Sequence, residues 1–142
     1  MEVLYADLFE AAGAGRQQGE QMAALAGQTQ SRWQTLWVAE SGEFTVPQIA
    51  RRLGVTRQNV QRVVADLASH GLVVLAQNPD HKTSPLVRLT DSGRRALTTI
   101  NDVADETHKR MQETFTNDDV EALRSLLQRF TAAVRSAAVL SE

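Results

Sequence analysis

Thr45-Val46-Pro47-Gln48-Ile49-Ala50-Arg51-Arg52-Leu53-Gly54-Val55-Thr56-Arg57-Gln58-Asn59-Val60-Gln61-Arg62-Val63 contains two helix starts and one helix stop. Thr45 and Gln48, three residues apart, have the spacing of a capping box, which satisfies backbone N–H groups that a first helical turn leaves unpaired. Ile49, Ala50 and Leu53 give this helix an apolar side, and Gly54 ends it after little more than two turns. Thr56 is a second N-cap. The helix it starts carries Val60, Val63, Val64 and Leu67 at i, i+3, i+4 and i+7, the period of one buried helical face. Gly71 stops it as a left-handed residue. Two short helices over a tight turn predict a helix-turn-helix, whose second helix enters the major groove of DNA. The steric needs of that crossing are met on paper. Ala50 is small where the second helix passes, Gly54 accepts a positive φ in the turn, and Val55, Val60 and Val63 anchor the second helix.

A rotation of 100° per residue places Gln58, Arg62 and Ser69 opposite the apolar face of the second helix, flanked by Gln61 and Asn59. Gln and Asn pair bidentately with adenine and Arg with guanine. Thr56 and Arg57, at the helix N-terminus, suit a phosphate. The competing use is an ordinary solvated face. Such faces are usually rich in Glu, Asp and Lys, and none of these occurs from Thr56 to Ala65.

After Gly71 the period changes. Leu72-Val73-Val74-Leu75 and Leu86-Val87-Arg88-Leu89 are β-prone runs, separated by the turn-rich Asn78-Pro79-Asp80-His81-Lys82-Thr83-Ser84-Pro85. They predict a hairpin with a polar tip. Thr90 caps a following helix with the stripe Leu97, Ile100, Ala104, Thr107, Met111 and Phe115. Thr116 or Asn117 caps a last one with Leu123, Leu126, Leu127, Phe130, Val134 and Ala137. Upstream, residues 3–26 read as a helix weakened by Gly13, Gly15 and Gly19, each costing about 1 kcal/mol relative to Ala. A second helix carries Trp33, Leu36 and Trp37 and stops at Ser41-Gly42.

The 142 residues are 42% hydrophobic and 23% charged, as in an ordinary globular chain, and include no cysteine, so disulfides and thiolate metal sites are excluded. No apolar run has a membrane-spanning length, and Met1–Asp7 shows no secretory signal, so the expected location is the cytoplasm, with no membrane partner. Net charge is −2, unevenly spread: Thr45 to Arg95 holds eight basic and three acidic residues, the remainder seven and fourteen. A basic middle between acidic ends suits a DNA-binding lobe attached to non-binding helices. His70, His81 and His108 have no metal-ligand spacing, and no catalytic constellation or phosphate loop is visible. We therefore expect no metal, no cofactor and no enzymatic activity.

Thr45-Val46-Pro47-Gln48-Ile49-Ala50-Arg51-Arg52-Leu53-Gly54-Val55, Gly71-Leu72-Val73, Asn78-Pro79-Asp80-His81-Lys82, Leu86-Val87-Arg88-Leu89-Thr90-Asp91-Ser92-Gly93 and Trp33 together resemble the MarR family of bacterial regulators. The resemblance spans nearly the whole chain and is specific from about Thr45 to Gly93. It implies a mainly α fold with a small β-hairpin wing (α+β), that is, a winged helix-turn-helix with N- and C-terminal dimerisation helices. Its parts would be one domain over 1–142: dimerisation helices at 1–28 and 116–142, a DNA-binding lobe at 44–93 and a connecting helix at 90–115. It also implies a homodimer on a palindromic double-stranded DNA operator, probed by Thr56, Arg57, Gln58, Asn59, Gln61, Arg62, His81 and Lys82. A small-molecule effector would lie among Trp33, Trp37, Met111 and His108, for which core packing is the competing use. The chain departs from the family in two places. Lys82 stands where the wing usually has arginine, and its hydrated ammonium enters a narrow minor groove less readily than guanidinium. Apolar Val74-Leu75-Ala76 follows Gly-Leu-Val where arginine is common. A winged-helix module that binds protein instead of DNA is the alternative function.

Overall fold

The computed structural model describes residues 1–138; residues 139–142 of the expected C-terminal dimerisation segment lie outside the described residues. Six helices and three strands follow in the order α1 (Glu2–Leu25), α2 (Gln30–Glu40), β1 (Phe44–Thr45), α3 (Val46–Leu53), α4 (Arg57–Ser69), β2 (Val73–Ala76), β3 (Leu86–Leu89), α5 (Asp91–Gln112) and α6 (Asn117–Ala138). The chain divides into two compact units, Met1–Ala104 and Asp105–Glu142, with α5 running from the first into the second.

The first unit is built around Leu36, Ile49, Leu67, Val87 and Ile100, one from each of α2, α3, α4, β3 and α5, all fully buried. Burying a side chain of this size stabilises the fold by about 1.5–3 kcal/mol, so these residues tie five elements to one core. Gly19, Met22 and Ala23 seat the C-terminal half of α1, while Leu4, Tyr5 and Phe9 in its N-terminal half stay exposed.

The expected hairpin is part of a three-stranded antiparallel sheet ordered β1-β3-β2. Its third strand, Phe44–Thr45, corrects the two-stranded expectation: Phe44 pairs with Val87 and Thr45 with Leu86. β2 begins at Val73, one residue later than the β-prone run suggests, because Leu72 is spent on stopping α4. The Leu72 N–H closes on the Leu67 carbonyl at 2.9 Å, and its own carbonyl accepts from Thr90 N–H at 3.0 Å.

Thr90 then starts α5. Its hydroxyl accepts from Gly93 N–H at 3.0 Å and donates to the Gly71 carbonyl at 2.6 Å. The first turn of α5 is thereby docked on the backbone that leaves α4, closely enough that a Cβ on Gly93 would lie 2.0 Å from the Leu72 carbonyl oxygen.

In the second unit Thr116, not Asn117, caps α6. Its hydroxyl accepts from Asp119 N–H at 3.2 Å, while the Asp119 carboxylate accepts from the Thr116 hydroxyl and N–H. Those two bonds, the hydroxyl's first, hold the Asp119 carboxyl below the usual range. Met111, Phe115, Leu123, Leu126, Leu127 and Val134 are all exposed.

Candidate nucleic-acid interface

The turn between α3 and α4 has the geometry that the sequence predicts. Gly54 sits at φ 68°, a left-handed conformation that a Cβ would strain, and Val55 N–H closes back on the Ala50 carbonyl at 3.1 Å. Ala50 is buried under α4. Gln48 Oε1 accepts from the Thr45 N–H at 2.8 Å and from its hydroxyl at 3.1 Å, fixing the start of α3. The Thr56 hydroxyl accepts from Asn59 N–H at 3.2 Å and starts α4. Val60, Val64 and Leu67 hold α4 against the core, with Val63 half-buried. Val55 does not anchor the helix as expected: its side chain is 41% exposed, and its contribution to the turn is the backbone bond to Ala50.

With that face buried, Thr56, Arg57, Gln58, Gln61 and Arg62 are left exposed along the other side of α4, and Asn59 is half-buried at its flank. Among the described residues neither Arg57 nor Arg62 has a carboxylate partner. The wing tip is ordered from within. Asn78 Nδ2 donates to the Ser84 carbonyl at 2.9 Å, and Asn78 Oδ1 accepts from Asp80 N–H at 3.0 Å. His81 Nδ1 lies 3.2 Å from the Thr83 hydroxyl, and Lys82 projects beside it, exposed.

Two grooves join these parts. One, of about 180 Å³, runs between α4 and the wing and brings Arg57 and Gln61 together with Leu75, Thr83 and Pro85. The other, of about 620 Å³, lies between the start of α3 and the wing and is lined by Gln48, Arg51, Asp80 and His81. Arg51, Leu75 and Thr83 were not among the expected contact residues. The pairing Arg51-Arg52 was the available signal for the first of them.

The basic surface is also smaller than the residue count implies. Arg88 is paired with Glu43, and Arg94 with Glu40 and Asp91. Arg52 lies over the Phe44 ring, 5.3 Å from its centroid, bracing β1 against α3.

The four candidate effector residues differ from one another. Trp33 packs on the core and its indole N–H donates to Asn101 Oδ1 at 3.1 Å. Trp37, one turn on, is 53% exposed. His108 and Met111, in the second unit, are exposed. No group of His, Cys, Asp and Glu suited to a metal ion occurs among the described residues, and none of their helices is long and apolar enough to cross a membrane.

The sequence pattern of the MarR family matches residues 28–82. The chain is 48% identical over 133 residues to the protein Rv2011c of Mycobacterium tuberculosis, a match covering 94% of this chain and 93% of that one. Among solved structures it is similar to the transcriptional repressor CouR bound to a 23-mer DNA duplex, with 25% identity, a TM-score of 0.77 and coverage of 92% of this chain and 93% of that one. CouR from Rhodococcus jostii bound to p-coumaroyl-CoA superposes with a TM-score of 0.78 at 22% identity, covering 87% of each chain.

Proposed function

This chain belongs to the MarR family of winged-helix transcriptional regulators, and from that premise we propose that it is a repressor that grips a palindromic DNA operator as a homodimer. Its fold and family are those of DNA-binding regulators rather than enzymes. The observation that carries the finer reading is the exposed side of α4, where Gln58, Gln61 and Arg62 stand clear of the core and Arg57 shares a groove with the wing. In this reading Gln58 and Arg62, one helical turn apart, read base edges in the major groove, with Gln61 and Asn59 beside them. Thr56 and Arg57 at the helix N-terminus, with His81 and Lys82 on the wing, hold the phosphate backbone. A small-molecule effector that releases the operator belongs to the same proposal, since CouR holds p-coumaroyl-CoA. Trp37, His108 and Met111 are exposed residues available to it.

The test is selection of preferred sites from random duplexes. Wild type should enrich a palindrome with half-site centres roughly 10 base pairs apart. Arg62→Ala should lose preference at one symmetric pair of positions and Gln58→Ala at another, each by about 1–3 kcal/mol of discrimination. Identical preferences in all three proteins would move base readout to the wing or to DNA shape. A wild type that selects nothing would favour the protein-binding module.

The phosphate contacts are tested separately. Arg57→Ala and Lys82→Ala should weaken binding to every duplex and flatten its salt dependence by about one phosphate per half-site. A change in base preference with an unaltered salt slope would contradict that division of roles.

A further inference from the structure

Asp66 is the only carboxylate on α4, and its partner comes from outside the helix-turn-helix. Arg32, on α2, places its Nε 3.1 Å from Asp66 Oδ2. The Arg32 side chain is only 15% exposed, against 48% for Asp66, and Arg32 Nε and Nη2 are both buried without a hydrogen bond, so Asp66 meets the guanidinium as an opposite charge only. Burying a guanidinium this far for one ion pair is a poor source of stability, so the pair calls for another explanation. The position of Asp66 supplies one. It lies four residues beyond Arg62 on the same helix, rotated from it by about 40°, the spacing at which side chains of opposite charge meet. His70 sits on the far side, its Nδ1 3.5 Å from Asp66 Oδ1.

We propose that Arg32 is a positioning residue for DNA recognition: it engages the Asp66 carboxylate from α2 and so keeps it from capturing Arg62 and from facing the DNA phosphates. The proposal rests on the DNA-binding reading of α4. Without Arg32, the carboxylate is free to close the i, i+4 pair and remove the guanidinium that reads the operator. It also sets an uncompensated negative charge beside the duplex.

The pair makes the idea testable by sign. Arg32→Met keeps the buried stem and leaves Asp66 to water, so folding is retained, as a thermal unfolding midpoint near that of wild type would report. Its affinity for the selected operator should fall roughly ten-fold at low salt. Adding Asp66→Asn in that background should restore affinity to within about three-fold of wild type, and Arg32→Lys alone should bind as wild type does. A merely structural role predicts the opposite, because a second substitution at a broken packing contact does not repair it. The proposal is overturned if the double variant binds as weakly as Arg32→Met, or if Arg32→Met binds like wild type. Wild type failing to bind any duplex would instead reject the DNA-binding reading itself, so the two failures are distinguishable.

Discussion

Replacing Gly93 with alanine is expected to lower the unfolding free energy by about 3 kcal/mol or more, equivalent to a drop in Tm of roughly 10 °C for a chain of this size. The new methyl carbon would sit 2.0 Å from the Leu72 carbonyl oxygen. Neither side can yield easily. The Leu72 carbonyl is held by Thr90 N–H, and Thr90 is tied by its hydroxyl to Gly71 and Gly93. Relief of the clash must therefore pull α5 away from the turn between α4 and β2. Gly13→Ala is the matched control. Nothing lies within 4 Å of a Cβ built there, and alanine in a helix interior with room for its methyl group stabilises by about 0.5–1 kcal/mol relative to glycine. Chemical denaturation of both variants checks the pair, and equal effects would refute the close approach at Gly93.

The double substitution Leu123→Glu/Leu126→Glu on α6 is expected to convert the protein to a monomer and to cut operator affinity at least about 100-fold, since two linked half-sites become one. Both leucines are more than half exposed in the single chain, so charge there costs its folding little. Leu127 and Val134 on the same helix are exposed as well, more apolar surface than scattered single residues explain. We assign this surface to the two-fold contact of the proposed dimer. Sedimentation velocity reads the outcome directly. A wild type that is monomeric at micromolar concentration would remove the dimer and the palindrome together.

The helix-turn-helix was legible in the sequence because its determinants are local. Thr45 with Gln48, Gly54, Thr56 and Gly71 each act within one turn of themselves, and each is used as its spacing predicts. β1 was not legible. Two residues are too few to show alternation, and what makes Phe44–Thr45 a strand is Val87 and Leu86, far along the chain. The charge count failed for a similar reason. Glu40 and Glu43, which engage Arg94 and Arg88, fall just outside the basic window, and the fold brings them back to it. Val55 is apolar without being buried, since a turn residue is chosen for its backbone. Trp33 and Trp37 share a helical stripe, yet only the first meets a partner, Asn101, which sits on a helix that no local pattern pairs with α2.

Thr45 belongs at once to the strand that pairs with the wing and to the cap that starts α3. The shared residue sets how this fold can evolve. A residue inserted or deleted at the junction of Phe44 and Thr45 would break the sheet pairing and the start of α3 together, so lineages carrying one should be purged. At the wing tip, between Asn78 and Ser84, the chain is exposed and held mainly by its own turn bonds. Length variation among descendants should therefore collect there, leaving the stretch from Thr45 to Gly71 to be inherited as a block and altered chiefly by substitution along the exposed side of α4.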